Sequence, residues 1–210
     1  MPETMPAAPY RFEFVGGAPC LDFTNTEGGD RRATPTEHLH GYEDLVAWAR
    51  QGELISAAQA RALLLRAQRE PAAAAAALAS AVELREALFE IFFALADRKR
   101  PLPQHLEKLN RALAEALGHR RVAQSGRGFS LAWDDSDDLR RMLWPVALSA
   151  ADLLAGEHGT PVKLCGMWKT TGCSWLFVDE SRNGSRRWCS MKDCGNRAKA
   201  RRHYQRVKKG

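Results

Sequence analysis

The chain has 210 residues, is 45% hydrophobic and 27% charged, and carries a net charge of +6. That is apolar material for one good-sized domain plus a small one. No apolar run approaches the ~20 residues that a membrane-spanning helix needs. Residues 1–10 read as a disordered leader that lacks the charged start and apolar core of a signal peptide, so the expected location is cytoplasmic.

Taken in chain order, Arg11-Phe12-Glu13-Phe14-Val15 alternates and predicts a short strand ended by Gly16-Gly17. A compact apolar and polar stretch from Pro19 to Thr26 follows. Leu45, Val46, Trp48 and Ala49 make the apolar face of a short helix that stops near Gly52. Ser56-Ala57-Ala58-Gln59 has the capping-box spacing that opens another. Pro71 suits the first turn of a long helix running to about Asp97. Its alanines let a neighbouring helix approach closely, and Leu84, Leu88, Ile91, Phe92 and Leu95 form a broad buried stripe. Leu106, Leu109, Leu113 and Leu117 predict an amphipathic helix ending at Gly118. Residues 122–125 and 129–133, joined by Gly126-Arg127-Gly128, predict a hairpin. Ser136-Asp137-Asp138 is expected to cap a helix over residues 137–154, kinked at Pro145. Residues 156–161 read as a hinge.

The charge is unevenly spread. Residues 163–210 hold 13 Lys and Arg against 3 acidic residues, whereas residues 1–162 hold 18 against 22. A positive field of that density favours a polyanion, of which DNA and RNA are the commonest. A merely solvating basic tail is the alternative, but this one also contains cysteines and aromatics.

Four of the five cysteines lie in this segment, as Cys165-x7-Cys173-x15-Cys189-x4-Cys194. Zinc takes four tetrahedral ligands and prefers thiolates in structural sites. A short segment with few apolar residues gains from the metal the folding energy its core lacks. The seven-residue first gap has to loop out. Four unligated thiols or a redox pair are the alternative, and His158 and His203 read as surface residues. Cys20, alone in an apolar stretch, reads as buried and inert.

Beyond Cys194, Ala200, Tyr204 and Val207 share one narrow helical face, expected to pack on the zinc core. Lys199, Arg202, Arg206 and Lys209 line the opposite side, with Arg197, Arg201 and Lys208 on a flank. Guanidinium forks grip phosphate oxygens bidentately, and Arg182, Arg186 and Arg187 on the loop before Cys189 are expected to add contacts.

Residues 173–199, and above all Cys194-Gly195-Asn196-Arg197, resemble the CGNR zinc finger, although the Cys165–Cys173 gap is longer than that family's first pair. Gly16-Gly17, Leu21-Asp22-Phe23-x-Asn25-Thr26 and Asp44-Leu45-Val46-Ala47-Trp48 resemble the ABATE family, whose domain usually precedes this finger. The two resemblances imply a stress-induced transcriptional regulator with the finger as its DNA-binding part, associated with the nucleoid.

A regulator needs an input. Asp22, Asn25, Thr26, Asp30, Arg31 and Arg32, with Trp48 and Trp144 as walls, are the candidate site for a small-molecule effector. Helix and turn caps, with Asp22 paired to an arginine, are the alternative use of those groups. No Gly-rich phosphate loop, Ser–His–Asp set or paired carboxylates point to catalysis, so the chain is not read as an enzyme. The expected fold is mainly α (α+β). A helical domain with a small β element fills residues 11–157, and a treble-clef-like zinc module ending in a basic helix fills 158–210. The expected function is a DNA-binding transcriptional regulator whose body senses a ligand or forms a homodimer. RNA or ribosome binding, or a redox switch at the zinc thiolates, are the alternatives.

Overall fold

The computed structural model describes residues 10–156 and 162–208. The expected leader and hinge, apart from Tyr10 and Gly156, lie outside the described residues, as do His158 and Lys209.

The body is built around one long helix. Elements run α1 (Pro19–Thr24), a β1–β2 hairpin (Glu27–Asp30, Thr34–Glu37), α2 (Tyr42–Gln51), α3 (Ala57–Arg69), α4 (Pro71–Ala96) and α5 (Pro103–Gly118). A β3–β4 hairpin (Arg120–Ser125, Gly128–Trp133) and α6 (Leu143–Ala155) complete it. Leu84, Leu88, Ile91 and Phe92 of α4 are buried in one core with Leu21, Phe23, Leu45, Trp48 and Val146. Ala74, Ala77 and Ala81 are buried too, which brings α3 against α4 as the small side chains imply. Ser56 accepts from Gln59 N while the Gln59 side chain accepts from Ser56 N, so the capping box opens α3 as expected.

Residues 11–15 form no strand. Nor does α6 begin at Asp137. Ser136 and Asp138 accept from the backbone N–H groups of Asp138 and Arg140, winding local turns that compete with helix. Pro145 therefore falls in the first turn of α6, where its missing N–H leaves no helical bond unmade, and no kink is needed. The β1–β2 hairpin was not foreseen. It carries Glu27 and Glu37, which close on Arg85 of α4, a residue only 1% exposed. Burial acts to raise the Glu37 carboxyl, but Arg85 and the N–H groups of Leu39 and His38 hold it below its usual range.

The β3–β4 hairpin pairs Val122 with Leu131 and Gln124 with Phe129. One face thus presents Val122, Phe129 and Leu131, which are 72%, 78% and 63% exposed.

The last segment runs β5 (Val162–Leu164), α7 (Trp168–Thr171), β6 (Leu176–Val178), a π-helical turn (Met191–Gly195) and α8 (Asn196–Val207). β5 and β6 pair antiparallel, and the cysteine cluster beside them ends in a helix. Among the described residues, no helix is long and apolar enough to cross a membrane.

Candidate metal centre and basic face

The four cysteines come from four different pieces of local structure. Cys165 leaves β5, Cys173 follows α7, Cys189 ends the arginine loop and Cys194 sits in the π-helical turn that launches α8. The long first gap does not loop out freely. It is filled by the single turn of α7 and closed by Gly172, whose φ of 72° is in the left-handed region. A Cβ there would meet the Asp30 side chain at 2.4 Å, so glycine is required for conformation and for space.

All four Sγ atoms lie within 4.8 Å of one another, and Cys173 Sγ to Cys189 Sγ is 3.7 Å. A tetrahedron with Zn–S of about 2.3 Å has edges of about 3.8 Å, so the sulfurs stand where the metal needs them. Hydrogen bonds from Cys173 and Cys189, then the N–H groups of Cys189 and Met167, hold the Cys165 thiol far below its usual range. Hydrogen bonding to Cys165 pushes the Cys173 and Cys189 thiols up in turn. Four sulfurs this close shed their protons together only around a cation, and backbone N–H groups aimed at sulfur are the usual support of a thiolate site. Cys165, Cys173, Cys189 and Cys194 therefore form a structural zinc site, and exposed His203 is not needed. Cys20 is buried apart, its thiol pushed up to about 12 by burial.

The zinc module is not a pendant. Leu176 and Val178 belong to the core of the body. Asn25, the C-cap of α1, acts as a strand would: its Nδ2 donates to Leu176 O and its Oδ1 accepts from Leu176 N, both at 2.9 Å. Val178 N donates to Gly16 O at 2.8 Å, and Ser174 Oγ to Gly29 O at 3.0 Å. Arg186 adds another stitch. Its guanidinium donates to the carbonyls of Val15, Val178, Trp188 and Cys189 and lies over the Phe177 ring. Arg186 is thus committed to the scaffold and leaves the set of free cations.

The expected effector residues are also spent on structure. Asp22 Oδ1 accepts from Gly16 N at 2.7 Å, Thr26 Oγ1 donates to Phe23 O, and Asn25 holds β6. Arg31 pairs with Glu27 and Glu86 over the Phe89 ring, and Trp48 is buried against Phe23. Asp30 caps its own turn at Arg32 N, and Arg32 lies over Phe93. The sequence placed an input here; the structure has caps, an ion cluster and core.

Burial raises the Asp22 carboxyl from 3.8 to about 6, against the N–H groups of Gly16 and Val15 and the charge of Arg186. The stability this group contributes is full below about 3.8 and is lost as pH rises through about 6. Asp22→Asn keeps the acceptor for Gly16 N–H. In thermal melts, the variant should be at least as stable as wild type at pH 7 and lose that advantage towards pH 5. A gap independent of pH over that range would contradict the assignment.

Arg182, Arg187, Arg197, Lys199, Arg201, Arg202, Arg206 and Lys208 are all exposed. The apolar seam of α8 does not seat on the zinc core: Tyr204 and Val207 are 74% and 66% exposed. Ala198 makes that contact instead, so the helix is anchored near its start and projects. Ala198, Arg201, Arg202 and Gln205 form one stripe of α8 along a groove of about 780 Å³, faced by Arg187, Trp188 and Thr170. Trp188 and Thr170 were not anticipated as surface groups, because a tryptophan beside a ligand cysteine reads as core.

Residues 17–157 match the ABATE family, described as "Putative stress-induced transcription regulator", and residues 162–207 match the CGNR zinc finger. These are families of regulator and zinc-finger type. A search among curated proteins gives no match.

Proposed function

The chain belongs to the ABATE family, and from that membership we propose that it is a transcriptional regulator that binds duplex DNA through α8 and the groove beside it. The observation that carries this reading is the exposure of α8 at every described residue except Ala198. A helix with two cationic stripes and an apolar seam that seats on no core is shaped to be covered by something else, and phosphates suit its stripes. Arg187 extends the charged surface, and zinc fixes the start of α8 relative to that loop. For dimerisation of the body, the support is the apolar face of the β3–β4 hairpin.

Replacing Lys199, Arg201, Arg202 and Arg206 together by Gln, in the zinc-loaded full chain, should weaken duplex binding on the order of 100-fold at physiological salt. The slope of log affinity against log salt should become shallower by about 3–4. Fluorescence anisotropy across a salt series measures both. Unchanged affinity and slope would remove α8 from the interface. A matched RNA duplex that outcompetes DNA would turn the reading to RNA.

A further inference from the structure

The β3–β4 hairpin has an edge as well as a face. Ser125 stands opposite Gly128, Ala123 opposite Ser130 and Arg121 opposite Ala132. One step further out, Asp134 N donates to His119 O at 3.0 Å. Hydrogen-bonded and non-bonded pairs alternate in an antiparallel ladder. The even-numbered residues of β4 therefore bond to β3, and Phe129, Leu131 and Trp133 turn their backbone N–H and C=O groups outward. Among the described residues those N–H groups have no acceptor, and of the carbonyls only that of Leu131 is met, by Arg120 Nη1 at 3.4 Å. A carbonyl has a second lone pair to offer. The outer edge of β3 is less open, because the Arg121 guanidinium donates to the carbonyls of Gly118 and Arg120 at 2.7 Å. An exposed strand edge beside an apolar face is a template for another strand.

The flanks say which strand. Arg127, in the turn, and Asp135, just past β4, are both exposed and without an ion-pair partner among the described residues. Each lies four positions from Leu131. Pairing β4 antiparallel with β4 of a second copy about a two-fold axis at Leu131 puts Leu131 on Leu131 and Phe129 on Trp133. It also brings Arg127 of each copy level with Asp135 of the other. An axis at Ser130 leaves Arg127 level with Trp133, and one at Ala132 sets Phe129 against Asp135.

We propose that two copies of this chain join through β4, antiparallel about Leu131, into one four-stranded sheet in the order β3–β4–β4–β3. This rests on the reading of the body as a dimerisation domain and adds the strand, the register and the charge pairs; it does not depend on whether α8 binds DNA. The contact is isologous and closes at two copies. Across the axis the apolar side chains of Phe129 and Leu131 form one continuous stripe, and cross-strand pairs of this kind are what stabilises a sheet. The exposed charge pairs select register more than they add affinity. One strand a side is far less than the roughly 20–30 residues of a standard interface, so the dissociation constant is expected on the order of 10 µM.

Sedimentation equilibrium of the zinc-loaded full chain measures that constant. Leu131→Lys, which sets two ammonium groups on the axis, should weaken association at least about 100-fold. Arg127→Glu and Asp135→Arg should each weaken it about tenfold, and the two together should restore it to within about threefold of wild type. All three positions are exposed, and unchanged zinc content and helicity identify folded material. Amide exchange gives an independent readout: the N–H groups of Phe129 and Leu131 should gain protection as concentration rises, while those of Val122 and Gln124 should not. A chain that stays monomeric at about 200 µM overturns the proposal and the dimerisation reading together. A dimer that Leu131→Lys leaves intact, or charge reversals that do not rescue one another, overturns the β4 seam and leaves dimerisation of the body standing.

Discussion

Stripping the zinc should lower the melting temperature of the whole chain in one transition, rather than melting its last quarter alone. Leu176 and Val178 are walls of the body's core, and Asn25, Gly16 and Arg186 tie the two parts through backbone groups. Without the metal, four crowded sulfurs no longer hold β6 in place. Asn25 and Gly16 then lose their partners, and the body loses an apolar wall. Structural zinc is worth roughly 10 kcal/mol or more in small modules. If even a third of that reaches the body, its melting temperature falls by about 10 °C. Cys173→Ser should act similarly with zinc in excess. Calorimetry with and without chelator checks this, with tryptophan fluorescence as a second probe. An unmoved main transition preceded by a small separate one would mean that the module is independent. A fragment of residues 1–160 would lack β5 and β6, so any loss of duplex binding in it would mix missing contacts with a damaged body.

The second large effect is expected far from the metal. Arg85 donates to both oxygens of Glu37 at 2.6 Å, to Glu27 and Glu86 at 3.0 Å and to Thr26 Oγ1 at 3.3 Å. Arg85→Met fills similar space, leaves Glu37 without a cation and leaves Glu27 and Glu86 to Arg31 alone. Removing one partner of a buried ion cluster costs about 3–5 kcal/mol. Arg85→Lys keeps the charge but not the fork, and should recover less than half of the loss. Urea unfolding followed by circular dichroism measures both, with zinc content as a control that should not change. A cost below about 1 kcal/mol would show that hydration compensates the carboxylates.

Features read correctly from the sequence are those whose cause is local. The Ser56–Gln59 box, Pro71 at the start of α4 and the glycines of the β3–β4 turn each act within a few residues, and the four cysteines fall within 30. Features missed are those whose partner is distant. Asn25 meets Leu176 across 151 positions, and Arg186 meets Val15 across 171. Both look from sequence like a cap and a free cation. The β1–β2 strands have four residues each and no alternation, and an arginine of α4 holds them. The seam on α8 was misread for the opposite reason: three apolar side chains at helical spacing suggest burial, but the helix leaves the module after Ala198 and nothing reaches them.

Because α8 is fastened only at its root, its own charges govern how firmly it holds together. Arg197 and Arg201 sit four residues apart on it, as do Arg202 and Arg206. Such like-charged neighbours repel, and cations in the first turn oppose the helix dipole. Added electrolyte should therefore firm up the free segment while it loosens any complex with a polyanion. Helicity of the tip and affinity for phosphate would then respond to ionic strength with opposite signs.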